Sequence, residues 1–233
     1  MTRRPIAIFY HCLLFLGSPP KTLPIAPWIV QEQMDQLEDT GLLAAAQEFH
    51  VGVNGGAESE KAVAELIPPK AKVTYHGLDC RNENLTILML EEWVKTHPGW
   101  NILYFHAKGS SKAITGKDGM LATHWRNGMM FDLVSNWRRS VSDLESGYDI
   151  VCSSWLWGQC DGTQNIPAGN FLWIKSDFAA TLPSILMRDR IKRDGIGALS
   201  SRYESEVYWG NGPRPKVQCW RADPHWYLPF VFK

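Results

Sequence analysis

The chain has 233 residues, of which 45% are hydrophobic and 21% are charged, a composition typical of a globular protein. Its 24 basic and 24 acidic residues cancel, which excludes a general attraction to nucleic acid or to an anionic membrane and favours a small anionic partner. No segment has the roughly twenty apolar residues that span a bilayer, so any association with the inner face of a membrane is expected to be peripheral.

Strand and helix patterns alternate along the first half of the chain. The apolar run at residues 6–16 predicts the first strand, and a helix is expected from about Trp28, where Val30, Met34 and Leu37 recur at helical spacing. Two further strand and helix pairs follow, at 48–53 with 57–67 and at 72–75 with 84–97. A fourth strand is predicted to end at His106.

The second half predicts a long helix, further strands and two shorter helices. One face of the long helix is marked by Met130, Val134, Trp137, Val141 and Leu144. Residues 150–157 and 169–175 are expected to be strands, Ser176 to cap a helix at 177–182, and a last helix to cover 200–209. The tail, rich in Trp, Pro and Tyr, is expected to pack over the cleft.

This succession of elements predicts the fold class. Strands that alternate with helices form a largely parallel sheet, with right-handed crossovers that place helices on both faces. We therefore expect a single α/β domain over residues 1–233, Rossmann-like in architecture.

The fourth strand ends abruptly in polar and flexible residues, Tyr104-Phe-His-Ala-Lys-Gly109. Ligands of open α/β sheets lie beyond the carboxyl ends of the strands, so His106 and Lys108 are expected to face a substrate. Other polar residues are expected to converge on the same edge: His11, Asn54, Asp79, Gly169, Asn170 and either Glu204 or Glu206. The alternatives are a solvated loop lysine for Lys108 and a helix cap or turn residue for Asp79.

Several common signatures are missing from the sequence. Residues 109–117 lack the spacing of the phosphate loop, and Asp118 stands where that loop requires Ser or Thr. No GxGxxG follows the first strand, and neither HExxH nor GxSxG occurs. The 5 cysteines are scattered and never form CxxC, which argues against a disulfide framework and a zinc site and favours the cytoplasm.

A series of short motifs occurs in order within the segment from about Gly77-Leu-Asp79 to Trp209, which is more than half of the chain. The motifs are Tyr104-Phe-His-Ala-Lys-Gly109, Trp125-Arg126, Tyr148-Asp149, Ala168-Gly-Asn-Phe-Leu-Trp173 and Leu182-Pro183. In this order they resemble bacterial surface-polysaccharide glycosyltransferases of the GT-A-like type, above all the galactofuranosyltransferase domain of O-antigen polymerases. In those enzymes a strand ending in HxKG replaces the metal-binding DxD, and a GNFWW-type strand follows the long helix. This chain departs from the pattern at Ile166-Pro167, where relatives often have histidine, and has Phe-Leu-Trp in place of the double Trp.

The resemblance implies transfer of a sugar from a nucleotide-diphosphate donor, such as UDP-galactofuranose or another UDP-sugar, to a hydroxyl of a glycan. Residues 1–111 would bind the nucleotide sugar, and residues 112–233 would carry the acceptor-binding and catalytic groups. The donor-binding candidates are His11, Asn54, Asp79, His106, Lys108 and Arg126. The acceptor-binding candidates are Gly169, Asn170, Trp173, Tyr208 and Trp209.

The leaving diphosphate would be stabilised by cations in the side chains, because the strand end lacks the paired carboxylates that hold Mg²⁺ or Mn²⁺. Lys108, with His106 and Arg126, is the candidate for this role, and neither a metal nor another cofactor is expected. If the reaction inverts the anomeric centre, Glu206, or Glu204 as second choice, would remove the acceptor proton. Only one of these glutamates should reach the cleft, since they are two residues apart on a predicted helix. The alternative for Arg126 and both glutamates is an exposed helix face.

Two other functions fit the same sequence. A non-catalytic module that binds carbohydrate or nucleotide would keep an aromatic cleft and tolerate loss of the base carboxylate. A phosphate-handling hydrolase would use His106 or His124 and would act on simple phosphoesters without an acceptor sugar. No nucleic-acid partner is expected in any of the three cases.

Overall fold

A seven-stranded central sheet runs through the computed structural model, which describes residues 3–15, 26–55, 57–77, 83–110, 117–159, 164–187 and 202–223. The strands are β1 (Ile6–Phe15), β2 (Glu48–Gly55), β3 (Lys72–Gly77), β4 (Asn101–His106), β5 (Ile150–Cys152), β6 (Trp155–Gln159), β7 (Gln164–Pro167), β8 (Leu172–Lys175) and β9 (Val217–Cys219). The order across the sheet is β3-β2-β1-β4-β8-β5-β9, and β6 and β7 form a separate antiparallel hairpin.

The first four strands of the sheet are parallel to one another. β1 pairs with β2 on one side and with β4 on the other, and β2 pairs with β3. β8 is antiparallel to both of its neighbours, whereas β9 is parallel to β5. The order 3-2-1-4 is that of the first half of a doubly wound sheet, in which the direction of winding reverses between β1 and β4. A ligand crevice is expected at the carboxyl ends of these two strands.

Helices cover both faces of the sheet. In chain order they are α1 (Ala26–Asp39), α2 (Leu42–Ala45), α3 (Ala57–Leu66), α4 (Asn84–Val94), α5 (Lys117–Met130), α6 (Trp137–Glu145), α7 (Ser176–Ala179) and α8 (Arg202–Val207). Residues of α1, α2, α3, α5 and α6 enter one hydrophobic core, and residues of α4 and α7 enter the other. The predicted α/β class, with a mostly parallel sheet and helices on both faces, is therefore confirmed.

Strand β1 lies between the two cores. Ile6, Ile8 and Tyr10 belong to the core under α1, whereas Ala7 and Phe9 belong to the core under α4. Side chains of a strand point alternately to opposite faces, so a strand covered on both faces is apolar throughout. This explains why β1 reads as one uninterrupted apolar run.

Some elements differ from the prediction. The strand expected at residues 150–157 breaks at Ser153 and Ser154, and β6 then leaves the central sheet to pair with β7. A π-helical turn, Phe131–Ser135, divides the predicted long helix into α5 and α6. Ser176 does not cap α7, because its Oγ accepts a hydrogen bond from the Trp100 N–H at 2.9 Å.

Other expectations concern the chain ends and the membrane. The tail after residue 209 is described as far as residue 223, and this part contains β9, which pairs with β5 in the central sheet; the rest of the tail lies outside the described residues. Within the described ranges, no helix combines the length and apolar character needed to cross a membrane. Cys12, Cys152 and Cys219 carry free thiols.

Candidate active site

Polar side chains meet at the carboxyl end of β4, beside β1, where the order of the sheet reverses. His11 of β1 and His106 of β4 are direct partners in the register of the two strands. The pairing extends one residue further, because the Ala107 N–H donates to the His11 carbonyl oxygen at 2.9 Å. The structure thus brings together two histidines that are far apart in the sequence.

Glu83, the residue immediately before α4, lies at the centre of this cluster. Its Oε1 is 3.2 Å from His106 Nδ1, and its side chain is only 12% exposed. Its Oε2 accepts hydrogen bonds from Asn170 Nδ2 at 3.1 Å and from Ser205 Oγ at 2.5 Å. The start of a helix favours a negative charge, because unpaired backbone N–H groups lie there.

The environment of Glu83 keeps its carboxyl group ionised. Burial alone would raise the pKa of Glu83. The charge of His106, the electrostatic interaction with His11, the hydrogen bond from Ser205 and the charge of Lys108 outweigh burial and lower the pKa to about 2. Glu83 is therefore an anion at neutral pH, surrounded by donors and cations.

Both ring nitrogens of His106 face acceptors. Nδ1 faces the Glu83 carboxylate, and Nε2 lies 3.1 Å from the carbonyl oxygen of Gly169. An ionised carboxylate and a carbonyl oxygen can only accept, so both nitrogens must carry hydrogen if both contacts are hydrogen bonds. The negative charge of Glu83 beside the ring favours the protonated form of His106.

His11 has a different environment, although it lies beside His106. Its Nδ1 is 2.9 Å from Thr86 Oγ1, which in turn lies 3.3 Å from His76 Nε2. Burial lowers the pKa of His11 to about 3, in spite of the nearby Glu83. His11 is therefore neutral at neutral pH and helps to anchor the first turn of α4.

Lys108 follows β4 in the HAKG segment, residues 106–109. Its Nζ lies 3.9 Å from the centroid of the Trp125 ring, and 7% of the residue is exposed. An ammonium group over an aromatic face is attracted to the electron-rich ring. This burial excludes the alternative of an ordinary solvated loop lysine.

Arg126 of α5 supports the HAKG segment. Its Nη1 donates to the Lys108 carbonyl oxygen at 3.1 Å, and its Nη2 donates to Glu32 Oε2 at 2.9 Å. The residue is 1% exposed, so it is not an arginine on an exposed helix face. In this geometry the guanidinium group holds the backbone at Lys108, which differs from the direct donor contact that we predicted.

The turn before β8 completes the cluster. Gly169 has a φ of 88°, and a Cβ atom there would lie 2.5 Å from Met129 Sδ, so the position suits only glycine. Asn170 has a φ of 61°, a left-handed conformation that Asn tolerates better than most residues. Its Nδ2 donates to Glu83, and its Oδ1 accepts from Trp209 Nε1 at 2.5 Å.

The predicted acceptor aromatics are core residues. Trp173, Tyr208 and Trp209 are fully buried, and the Trp173 Nε1 donates to the Leu133 carbonyl oxygen at 2.8 Å. An aromatic face that is covered by protein cannot stack on a sugar ring, so their predicted acceptor-binding role is not supported. Trp209 acts instead through its hydrogen bond to Asn170.

The remaining predicted residues lie around or outside this cluster. Asn54 is buried near the end of β2, and Glu206 is half-buried on α8, next to Ser205. Asp79 lies outside the described residues, as does the side chain of Glu204.

The partners that the sequence does not single out are Glu83, Thr86 and Ser205. Glu83 directly precedes a predicted helix, where an acidic residue is ordinary. The sequence feature that could have identified Glu83 is its position in the order of strands and helices. A helix that follows the third parallel strand begins at the carboxyl edge of the sheet, so an acidic residue at its start lies near the other strand ends. Ser205 carries no such signal, because its contact depends on tertiary packing.

A metal site is not evident among the residues that the structure describes, because no group of three or more His, Cys, Asp or Glu is placed to hold an ion. The chemistry available at the cluster is that of one buried carboxylate, one imidazolium and one shielded ammonium group.

Fold and site together define an α/β protein with a polar cluster at the point where its sheet order reverses. No protein-family model matches the chain, and no curated protein matches it. One similar solved structure is Rv0371c from Mycobacterium tuberculosis H37Rv, at 14% identity over 94% of this chain and 89% of that chain, with a TM-score of 0.38. HddC from Yersinia pseudotuberculosis has 12% identity over 78% of this chain and 80% of that chain, with a TM-score of 0.39. A 4-diphosphocytidyl-2C-methyl-D-erythritol synthase has 12% identity over 99% of this chain and 98% of that chain, with a TM-score of 0.38. These values assign no family.

Proposed function

We propose that the chain is a glycosyltransferase that moves a sugar from a nucleotide-diphosphate donor to a hydroxyl of a glycan in surface-polysaccharide synthesis. The observation that supports this best is the position of the HAKG segment. His106 ends β4 and Lys108 follows it, beside β1 at the point where the sheet order reverses, and this is where doubly wound sheets bind their nucleotides. The resemblance to the HxKG and GNFWW-type glycosyltransferases favours the same use of this segment.

Lys108 would stabilise the negative charge that develops on the leaving diphosphate. Its ammonium group lies over the Trp125 ring, and Arg126 donates a hydrogen bond to the Lys108 carbonyl oxygen. Gly109 closes the segment with a φ of 92°, a conformation that glycine adopts without strain. A charge that is already oriented requires little reorganisation when the leaving group departs, which is the basis of electrostatic catalysis.

Glu206 would remove the proton from the acceptor hydroxyl, with Glu204 as the second choice. The packing that supports this assignment is that of α8, which lies against α4 and β7. Ser205, next to Glu206, is fixed by its hydrogen bond to Glu83. A carboxylate base opposite the leaving group gives inversion at the anomeric carbon.

The hydrolase alternative has weaker support. A histidine that acts as a general base needs a free ring nitrogen, whereas Nε2 of His106 is bonded to the Gly169 carbonyl oxygen.

A thermal-stability screen of UDP-, GDP- and dTDP-sugars tests the proposal. Selective binding raises stability by mass action, by about 2.7 kcal/mol at a ligand concentration of about a hundred times Kd. We expect one class of nucleotide sugar to raise the Tm of the wild type, and Lys108→Ala to lose most of that increase.

Lys95→Ala is the matched control for this screen, because Lys95 is an exposed lysine at the far end of α4, paired with Glu92 at 2.6 Å. It should keep the full ligand-dependent increase in Tm. If no nucleotide sugar stabilises the wild type, or if Lys108→Ala responds as the wild type does, the proposal is wrong.

A further inference from the structure

We infer that Glu83 is a positioning residue of this site, a buried carboxylate that joins the HAKG segment to the turn and the helix that the second half of the chain contributes. The catalytic consequence of this role rests on the proposed function, whereas the contacts themselves do not.

The partners of Glu83 come from distant parts of the sequence. His106 lies at the end of β4, Asn170 is 87 positions and Ser205 is 122 positions along the chain from Glu83. Contacts of such separation form only when β4, the turn before β8 and α8 are all in place. Glu83 is therefore a junction between segments and not a local helix cap; its side chain makes no capping hydrogen bond to α4.

The contacts form a closed circuit. Glu83 binds His106, His106 binds the carbonyl oxygen of Gly169, and the next residue, Asn170, binds Glu83 again. The orientation of the Asn170 amide is fixed, because its Oδ1 accepts from Trp209 Nε1 and its Nδ2 must then face the carboxylate. Connected hydrogen bonds of this kind reinforce one another in a buried environment.

The circuit requires a carboxylate. Asn170 Nδ2 and Ser205 Oγ donate hydrogen bonds to Glu83, His106 Nδ1 forms an ion pair with it, and an ionised carboxylate offers about four acceptor sites and no donor. A glutamine has the same shape but carries no charge, and an NH₂ group turned toward His106 can be accepted by Nδ1 only when the ring is neutral. Replacing Glu83 by Gln should therefore weaken the contact with protonated His106 without removing volume.

The expected consequence is a displaced HAKG segment and a loosened α8. Lys108 lies two residues after His106, and Ser205 directly precedes Glu206. Both proposed catalytic groups are therefore held through Glu83. A displacement of about 1 Å in a catalytic site can cost roughly a hundredfold in rate. Binding of the donor nucleotide depends on more contacts and should change less.

The test compares Glu83→Gln, Glu83→Asp and Glu48→Gln in the full chain, with the nucleotide sugar identified by the screen. Glu48 is the matched control, because it pairs with His50 at 2.6 Å and Lys72 at 3.0 Å but lies at the opposite, amino end of β2. We expect Glu83→Gln to lower kcat by roughly a hundredfold with a change in donor KM of less than about threefold. Glu83→Asp should recover part of kcat, and Glu48→Gln should keep the kcat of the wild type.

A second readout does not depend on catalysis. The pH titration of the His106 ring, followed by NMR, should move to lower pH in Glu83→Gln, because the neighbouring negative charge is gone. Glu83 also interacts electrostatically with His11, Tyr104 and Lys108, and His76 interacts with His11; both proteins keep these four side chains.

The results of these experiments distinguish a failure of the inference about Glu83 from a failure of the proposed function. If Glu83→Gln keeps the wild-type kcat and the wild-type titration of His106, the positioning role is overturned. If the titration moves but the wild type transfers no sugar from any nucleotide donor, the Glu83 contacts stand and the proposed function fails.

Discussion

At the scale of single residues, His11 and His106 show how surroundings determine the charge of one residue type. They are direct partners in neighbouring strands, His106 as the last residue of β4 and His11 in the middle of β1. His106 lies between a carboxylate and a carbonyl oxygen, which favours its protonated form. His11 is buried against a threonine hydroxyl and stays neutral. The sequence predicts the position of each histidine, but the difference in charge follows only from contacts with Glu83, Gly169 and Thr86.

We predict that His11 makes the protein less stable in acid. Its pKa is lowered from 6.5 to about 3 in the folded chain, so between these values the unfolded chain binds a proton that the folded chain does not. Its contribution to stability is fully present above pH 6.5 and decreases as the pH falls, by up to about 1.4 kcal/mol per pH unit. Denaturant unfolding of the wild type and of His11→Gln at about pH 7.5 and pH 5 measures this effect. The variant should lose less stability between the two pH values, and an equal loss in both proteins would contradict the prediction.

At the scale of secondary-structure elements, a part of the site can be predicted when the neighbouring sequence determines it, but not when it depends on contacts between distant segments. The end of β4 could be predicted, because an apolar run stops at a polar and glycine-containing segment. The break between β5 and β6 could not, since residues 150–157 read as one strand and the departure of β6 requires the partner β7. Glu83 could not be assigned to the site either, because its contacts with Asn170 and Ser205 depend on how α4 and α8 pack.

The packing of α4 on β2 leads to a prediction about Gly52. A Cβ atom at this position would clash with Thr86 Oγ1 and would lie 2.6 Å from His76 Nε2. Gly52→Ala should therefore push the first turn of α4, and Glu83 with it, away from the sheet. We expect a loss of roughly 1–3 kcal/mol in the free energy of unfolding, measured by denaturant titration.

Gly99→Ala is the comparison for this measurement. Gly99 has a φ of 79°, and a Cβ atom there would meet nothing within 4 Å, so alanine adds backbone strain without a clash. The expected cost is about 1 kcal/mol. If Gly52→Ala proves no more costly than Gly99→Ala, the close approach of α4 to β2 does not limit stability.

At the scale of the whole molecule, the polar cluster crosses the division that the sequence predicts at residues 111 and 112. Glu83, His106 and Lys108 come from the first half, whereas Asn170 and Ser205 come from the second. The antiparallel strand β8 makes this possible, since it pairs directly with β4 and brings the turn before it to the carboxyl edge of the parallel strands. The two halves, for which we propose donor binding and acceptor binding, therefore share one polar network.

The central claim is that this network supports transfer of a sugar from a nucleotide diphosphate, and the most direct measurement is the transfer itself. The wild type, treated with a chelator, is incubated with the nucleotide sugar found by the screen and a panel of glycan acceptors, and the product is examined by NMR. We predict acceptor-dependent release of the nucleotide diphosphate, one new glycosidic bond of inverted configuration for each nucleotide released, and a rate that falls roughly a hundredfold in Glu206→Gln while donor binding is kept. A retained configuration, full activity of Glu206→Gln, or nucleotide release that does not depend on an acceptor would contradict the claim.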